Sequence, residues 1–143
     1  MPNCVIDCDS KILGRLGSVV AKLLLNGSDV VLLNAERAAI SGHPKEIVAK
    51  YKVMVELHDK ANPENSPYIS RRPDLFVKRV IRGMLPYKKE KGRNAYKRLK
   101  VYIGVPEEFK SAKILDIEAK ERKDVYEKTI TVKELSEGLG YKY

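Results

Sequence analysis

The sequence predicts an α/β domain built on parallel strands. A short strand at Val5 and Ile6 is followed by an amphipathic helix and then by four consecutive apolar residues at 30–33. Strand, helix and strand in this order form a parallel unit, and an unbroken apolar run is typical of a strand covered on both faces. A chain of 143 residues is long enough to bury one core, so we expect residues 1–143 to form a single domain.

The first helix has the clearest periodicity in the chain. Its apolar residues recur at helical spacing and define one face: Ile12, Leu16, Val19, Val20 and Leu23. Asp9 or Ser10 can cap its start, and Asn26 with Gly27 supplies an end. We therefore expect this helix to pack on the sheet through one apolar stripe.

Further strands and a second helix follow. Residues 38–41 are predicted as a brief strand, and Pro44 opens a helix that continues to Leu57. Residues 59–72 contain prolines and few apolar groups, which is typical of a long exposed loop. Residues 101–104 (VYIG) are predicted as another buried strand. Together these elements predict a small, mostly parallel sheet of about four strands.

The C-terminal residues 107–143 show a weaker pattern. Thr131 and Glu134 match a capping box for a short helix that ends at Gly138. The alternating charges at 120–128 are typical of a solvated segment. We expect 107–143 to form a C-terminal tail that follows the last core strand.

The positive charge of the chain is concentrated in residues 71–100. The whole chain has 28 Lys/Arg, 19 Asp/Glu and a net charge of +9. Twelve of the bases but only two acids, Asp74 and Glu90, lie in 71–100, so this segment carries +10 and the rest of the chain −1. A solubilising surface mixes both signs, whereas one basic block in a near-neutral protein indicates a binding surface for a polyanion.

The basic segment also has helical patterning. The whole basic helical segment 71–100 is predicted to be inserted before the last core strand. Prolines and a glycine predict a helix over 73–85. One face of this helix is apolar and the opposite face basic: Val77, Val80, Ile81 and Met84 against Lys78, Arg79 and Arg82. Residues 87–92 are predicted as a basic hinge, and 93–99 as a second short helix.

The composition excludes several classes of protein and site. No apolar run approaches the roughly 18 residues of a membrane span, and the N-terminus lacks a secretory signal pattern, so a cytoplasmic location is expected. Cys4 and Cys8 are predicted to be reduced thiols in or beside a strand. With His43 and His58 as the remaining candidate ligands, neither a metal site nor a catalytic base beside a nucleophile is expected. We predict no catalytic residue, cofactor or small-molecule substrate.

A glycine pair at the start of the first helix allows two alternatives. Gly14 and Gly17 resemble the phosphate-binding turn of a nucleotide-binding α/β enzyme, but the remaining residues of the dinucleotide fingerprint and of the P-loop are absent. They also match loosely the G-x-x-G clamp of a KH-like RNA-binding module, although too few residues precede them for the strand and helix of that fold. Close packing of the helix onto the sheet is the commoner reason for such glycines.

The chain resembles the large-subunit ribosomal protein L13 family in an ordered set of motifs. These motifs are LGRL at 13–16 with Ala21-Lys22, VVLLNAE at 30–36, ISG at 40–42, RGMLP at 82–86, Gly92-Arg93 with Ala95, and LKVYIGVP at 99–106. Because the 57–72 loop departs from bacterial members and a long basic extension of the eukaryotic kind is absent, the archaeal type fits best. Gly17 stands where alanine is common, and we expect that difference to be harmless.

The resemblance implies a three-layer α/β/α domain with a structural role in the large ribosomal subunit and no catalytic activity. It implies contact with the large-subunit rRNA and neighbouring large-subunit ribosomal proteins in the cytoplasmic ribosome, the isolated protein being monomeric. The charge distribution agrees, since Lys and Arg neutralise phosphates without reading base sequence. The candidate RNA-binding residues are Arg15, Arg71, Arg72, Lys78, Arg79, Arg82, Lys88, Lys89, Lys91, Arg93, Lys97 and Arg98.

Two finer hypotheses concern how this surface works. Tyr87 and Tyr96 are candidates for stacking on RNA bases. Arg15 and the pair Arg71-Arg72 occupy positions where an α/β sheet presents its ligand-facing loops. If they share one surface with residues 88–93, the protein clamps separate RNA segments together. The alternative is that Arg15 projects from the first helix into solvent.

Overall fold

The computed structural model describes residues 4–119 and 128–143, so most of the 120–128 segment predicted as solvated lies outside the described residues. The strands are β1 (Cys4–Asp7), β2 (Val30–Leu33), β3 (Ala39–Ser41), β4 (Leu99–Val101) and β5 (Thr129–Thr131). The α-helices are α1 (Leu13–Leu25), α2 (Pro44–Glu56), α3 (Pro73–Gly83), α4 (Glu90–Lys97) and α5 (Val132–Gly138).

A three-stranded parallel sheet lies at the centre, in the order β1-β2-β4. Ile6 is opposite Leu32 in its register, and Leu32 is opposite Val101. Helix α1 makes the connection from β1 to β2, as the parallel unit predicted from sequence requires. Every residue of β2 is buried, because this strand is central and both of its faces are covered. The α/β class with a small, mostly parallel sheet is therefore confirmed.

The two faces of the central sheet are covered in different ways. Side chains alternate along β2, so that Val30 and Leu32 enter the main core while Val31 and Leu33 enter a smaller cluster. The main core includes residues of α1, α3 and α4. The smaller cluster is closed by the chain that follows β4, with Tyr102, Phe109 and Ala112 packed against it. Three helices thus cover one face of the sheet, and an irregular segment with one 3-10 turn covers the other.

A second, two-stranded sheet joins distant parts of the chain. The predicted strand near 38–41 is present as β3, but it pairs antiparallel with β5 and lies outside the parallel sheet. Helix α5 follows β5 directly, and its predicted capping box is confirmed. The Glu134 N–H donates to Thr131 Oγ1 at 3.2 Å, and the Thr131 N–H donates to Glu134 Oε2 at 3.1 Å. Ile130, Val132 and Leu135 are buried in the main core, so this part of the tail contributes to folding.

Several element boundaries differ from those predicted. Neither Asp9 nor Ser10 caps α1, since Ile12 occupies the N-cap position and Asp9 and Ser10 belong to the turn before it, where Ser10 has a φ of +59°. Helix α4 begins at Glu90, earlier than predicted. Strand β4 spans Leu99–Val101, so residues 102–104 of the predicted strand lie outside it, and only Leu99 in β4 is fully buried. Helix α2 does start at Pro44 as predicted, and the following loop is largely exposed.

Candidate nucleic-acid interface

A tight elbow (residues 84–89) connects α3 to α4. The Tyr87 N–H donates to the Leu85 carbonyl at 2.8 Å, and the Lys89 N–H donates to the Pro86 carbonyl at 2.9 Å. Gly92, in the first turn of α4, packs on the backbone of this elbow. A Cβ at Gly92 would lie 2.8 Å from the Tyr87 backbone nitrogen and closer still to the Pro86 carbonyl, so only glycine fits. The elbow thereby holds the basic residues before α4 against the end of α3.

The elbow and the last turns of α3 form a basic groove. Its volume is about 560 Å³, and its lining residues are Arg79, Arg82, Gly83, Leu85, Pro86, Tyr87, Lys88 and Lys89. Four of these residues are cationic and none is acidic. Among residues 4–119 and 128–143, no carboxylate forms a salt bridge with any of the four. A concave surface with several unneutralised cations concentrates positive potential and attracts anions.

Two tyrosines organise the cations around this groove. The Arg82 guanidinium lies 3.9 Å from the Tyr87 ring centroid, and the Lys78 ammonium lies 5.0 Å from that of Tyr96. The two rings meet edge to face, with centroids 5.4 Å apart and planes at 90°. We call the series Arg82, Tyr87, Tyr96 and Lys78 the aromatic ladder. The rings predicted to stack on RNA bases therefore already contact cations and each other.

The environment of Tyr96 reflects this arrangement. Burial raises the pKa of the Tyr96 phenol above its ordinary value of 10.0, while the nearby positive charges of Arg82 and Arg79 act in the opposite direction. The net shift is upward, so the phenol stays protonated at neutral pH. The Tyr96 ring is therefore neutral in the edge-to-face and cation–π contacts that it makes.

The other end of α3 presents a different arrangement. Arg72 precedes the helix and binds Asp74 through two hydrogen bonds, from Nε to Oδ1 at 3.1 Å and from Nη2 to Oδ2 at 2.8 Å. Its charge is therefore matched by a carboxylate. Arg71 beside it is exposed. Because α3 has 11 residues, Arg71 and Arg72 lie about 15 Å along the helix axis from its C-terminal end.

Arg15 borders a separate groove beside α1. This groove has a volume of about 480 Å³ and is lined by Ile12, Leu13, Gly14, Arg15, Ser18, Ile40, Ser41, Tyr51 and Val80. It shares no lining residue with the basic groove, although Val80 and Arg79 are neighbours in α3. Arg15 is exposed. The structure thus brings Arg79, Arg82, Lys88 and Lys89 together and places Arg15 in a different groove.

The remaining predicted residues divide into exposed and inward-facing groups. Lys91, Arg93 and Lys97 are exposed on α4, and Arg93 also donates to the Lys88 carbonyl at 3.4 Å. Arg98 instead turns toward the protein. Its Nη2 donates to the Leu24 carbonyl at 2.8 Å, and its Nε is buried without a hydrogen-bond partner among the described residues. Arg98 therefore ties the end of α4 to the last turn of α1.

The two glycines of α1 do not form a ligand loop. Both lie inside the helix, where Gly14 is exposed and Gly17 is buried. A Cβ at Gly17 would lie 2.9 Å from Met84 Sδ, so the close packing predicted from sequence is present, but against α3 instead of the sheet. Neither the nucleotide-binding turn nor the KH-like clamp matches this geometry, because both need the glycines in a loop.

The cysteine and histidine side chains are the other candidates for a chemical site. Cys8 is buried, and the pKa of its thiol is raised by burial and by the negative charges of Asp7 and Glu36, so the thiol stays protonated. His43 and His58 are exposed. In the part of the chain that the structure describes, no group of three or more His, Cys, Asp or Glu side chains is placed to hold a metal ion. Each helix there is too short or too polar to cross a membrane.

Comparison with known proteins gives one consistent result. Residues 2–108 match the family model described as ribosomal protein L13. A relative from Methanocaldococcus jannaschii is 45% identical over 141 residues, covering 97% of this chain and 98% of the relative. One from Archaeoglobus fulgidus is 43% identical over 140 residues, covering 96% and 88%. Both are named large ribosomal subunit protein uL13. These alignments also extend into 107–143, where the motifs noted in the sequence are weak.

Proposed function

The chain belongs to the ribosomal protein L13 family, and from that membership we propose that it is a structural constituent of the large ribosomal subunit. It binds large-subunit rRNA through the basic helical segment 71–100 and supports subunit assembly. It acts in the cytoplasmic ribosome beside other large-subunit proteins and catalyses no reaction. As an isolated protein it is a monomer with one domain.

The basic groove is the observation that carries the RNA-binding proposal. Arg79, Arg82, Lys88 and Lys89 converge on one concave surface, and among the described residues no acid lines it or forms a salt bridge with them. RNA presents closely spaced phosphates, which such a surface binds by releasing counterions. Contacts of this kind fix the position of a protein on RNA without reading its sequence. That property suits a protein whose task is to hold a folded RNA in place.

In this proposal, the other predicted residues contribute to RNA binding to different extents. Lys78, Lys91, Arg93 and Lys97 extend the groove along α3 and α4. Arg71 and Arg15 provide outlying contacts. Arg72 and Arg98 contribute less, because a carboxylate and a backbone carbonyl already engage their guanidinium groups.

Binding to a structured rRNA fragment at increasing salt tests the proposal. If six or more phosphates are engaged, affinity falls by about a thousandfold or more between 50 and 200 mM salt. The variant Arg82→Ala/Lys88→Ala/Lys89→Ala should flatten the salt dependence by about two to three units of log–log slope. A matched control, Lys45→Ala/Lys50→Ala/Lys52→Ala, removes the same charge from the exposed face of α2. A nearly flat salt response of the unaltered protein, or equal losses in both triple variants, contradicts the proposal.

The outlying contacts define a clamp that is tested separately. If Arg15 and Arg71 hold different RNA segments, Arg15→Glu and Arg71→Glu/Arg72→Glu each remove chemical protection from a distinct segment. An unchanged footprint for Arg15→Glu shows instead that Arg15 projects into solvent, and the clamp is then abandoned while the groove proposal stands.

A further inference from the structure

The aromatic ladder contacts Arg82, one of the four cations that line the groove. Arg82 lies 3.9 Å from the Tyr87 ring centroid, close enough for its planar guanidinium to rest against the ring. Tyr87 is itself half-buried and braced by Tyr96 at 5.4 Å. The contact with Tyr96 therefore restrains the Tyr87 ring that Arg82 contacts. A flexible side chain that is usually free at a surface is restrained before any ligand arrives.

Such restraint changes what the cation can do. The N–H donors of a guanidinium lie in its plane, so a ring contact with its face leaves those donors available for an oxyanion. An aromatic partner also leaves the positive charge uncancelled. Because the side chain is already ordered, less conformational freedom is lost when a phosphate binds.

A second pair on the same helix provides an internal comparison. Arg79 lies 5.8 Å from the ring centroid of Tyr68, and Tyr68 is 67% exposed. Tyr68 belongs to the exposed loop before α3, and no other ring contact braces it among the described residues. The same chemical pair is therefore present without the fixed support that Tyr87 has.

We infer that Tyr87 and Tyr96 are positioning residues, which hold Arg82 and Lys78 in place for backbone phosphates of the bound RNA. This inference rests on the proposed function and gives the groove a geometric preference in addition to its charge. It assigns the tyrosines a role different from stacking on bases, because their rings support cations. Phosphate geometry, and not base identity, is then what the groove recognises.

Variants that keep the charge but remove the support test the inference. Tyr87→Leu should weaken binding to the rRNA fragment by about three- to tenfold, while the slope of affinity against salt stays unchanged. Arg82→Lys should behave in the same way, since lysine keeps the charge but loses the planar contact. Tyr87→Phe keeps the ring and should bind like the unaltered protein. Tyr68→Leu is the matched control and should also bind normally.

Other results overturn the inference. Normal binding by both Tyr87→Leu and Arg82→Lys shows that charge alone is sufficient. Loss in Tyr87→Leu with normal binding in Arg82→Lys shows that the ring stacks on a base. If melting shows that Tyr87→Leu is unfolded, Tyr96→Leu decides, because it removes the ring that braces Tyr87 and leaves the guanidinium of Arg82 unchanged. If the groove triple variant loses binding and these variants do not, only the positioning role is contradicted. If the triple variant also binds normally, the proposed function is contradicted.

Discussion

The two ends of helix α3 carry arginines that look alike in the sequence and differ in the structure. At the N-terminal end, Arg72 is bound by the carboxylate of Asp74. At the C-terminal end, Arg82 lies over the ring of Tyr87, and no acid among the residues that the structure describes lines the groove beside it. A count of arginines alone treats both ends equally. The difference teaches that the partner of a cation decides whether its charge is available to a ligand.

The physical distinction is between neutralising a charge and orienting it. A carboxylate within hydrogen-bond distance cancels most of the field that an approaching phosphate would feel, even though an exposed pair adds little to stability. An aromatic ring attracts the cation through its quadrupole and leaves the net charge intact. On the proposed function, we therefore expect the C-terminal end of α3 to bind RNA more strongly than the N-terminal end, although both ends have two arginines.

A substitution at Gly92, which packs on the elbow, should have the largest effect on the difference between the two ends of α3. In Gly92→Ala, the new methyl group meets the Pro86 carbonyl and the Tyr87 backbone, neither of which can turn aside as a flexible side chain can. We expect a loss of stability of about 3 kcal/mol or more, measured by thermal or denaturant unfolding. RNA binding should weaken as well, because Lys88 and Lys89 move with the elbow.

Gly83→Ala is the matched control for that substitution. Gly83 lies at the end of α3, and a Cβ there meets no atom within 4 Å. Its expected effect is neutral or a gain of up to about 1 kcal/mol from helix propensity. Equal destabilisation by the two alanines would show that the contact of Gly92 with the elbow is not what holds α4.

Removing one arginine from each end tests the contrast directly. Arg82→Ala should weaken RNA binding by about fivefold at 150 mM salt and reduce the log–log salt slope by about one unit. Removing Arg72 together with its partner, in Arg72→Ala/Asp74→Ser, should change both quantities by less than half as much, because the pair is electrically neutral and no unmatched carboxylate is left. Filter binding or fluorescence anisotropy over a salt series measures both. Identical losses would show that the carboxylate does not shield Arg72.

Removing the carboxylate that binds Arg72 should reduce the difference in RNA binding between the two ends of α3. In Asp74→Ser, the guanidinium regains its full charge, so RNA affinity should rise by about two- to fivefold with a steeper salt dependence. Loss of an acid from the first turn of α3 should cost about 0.5 kcal/mol in unfolding free energy. In the double variant Arg72→Ala/Asp74→Ser, the gain in affinity should disappear. A gain that persists there would have to come from removing the acid alone.

The smallest effect is expected where α1 supports the end of α3. Gly17→Ala brings a methyl group against Met84 Sδ, but Met84 is 39% exposed and its flexible thioether can shift. A helix-propensity gain of up to about 1 kcal/mol opposes this repacking. We expect a net change in unfolding free energy within about 1 kcal/mol and unchanged RNA binding, consistent with the harmless difference expected from the sequence. A large loss of stability would show that α1 and α3 are more rigidly coupled than this contact suggests.

The parts of the fold that could be predicted are those encoded by local patterns. The βαβ opening followed from an apolar run and a helical stripe, and the capping box of α5 followed from two residues three apart. The pairing of β3 with β5 could not be predicted, because β5 has three residues and its partner lies far away in the chain. Met84, expected on the apolar face of α3, is partly exposed because α3 ends before it.

For the interface, the sequence located the basic segment but not the state of each charge. Arg98 was predicted to contact RNA, and the structure gives it the Leu24 carbonyl as a partner, a backbone group that no residue pattern reveals. The four cations of the groove converge because Gly92 packs on Pro86, a contact that the sequence records only as a motif. The groups that meet Tyr87 and Tyr96 depend on the angle between α3 and α4, which periodicity does not fix.

The β3–β5 pair has a consequence for the order of events during synthesis. Ile40 and Ile130 are register partners, so a chain made from its N-terminus presents β3 long before its complement exists. Until then the backbone donors and acceptors on that edge of β3 remain open to water or to a substitute strand. Closing so long a loop is also entropically costly and slow. We therefore expect the second sheet to form late in folding, after β5 has been synthesised.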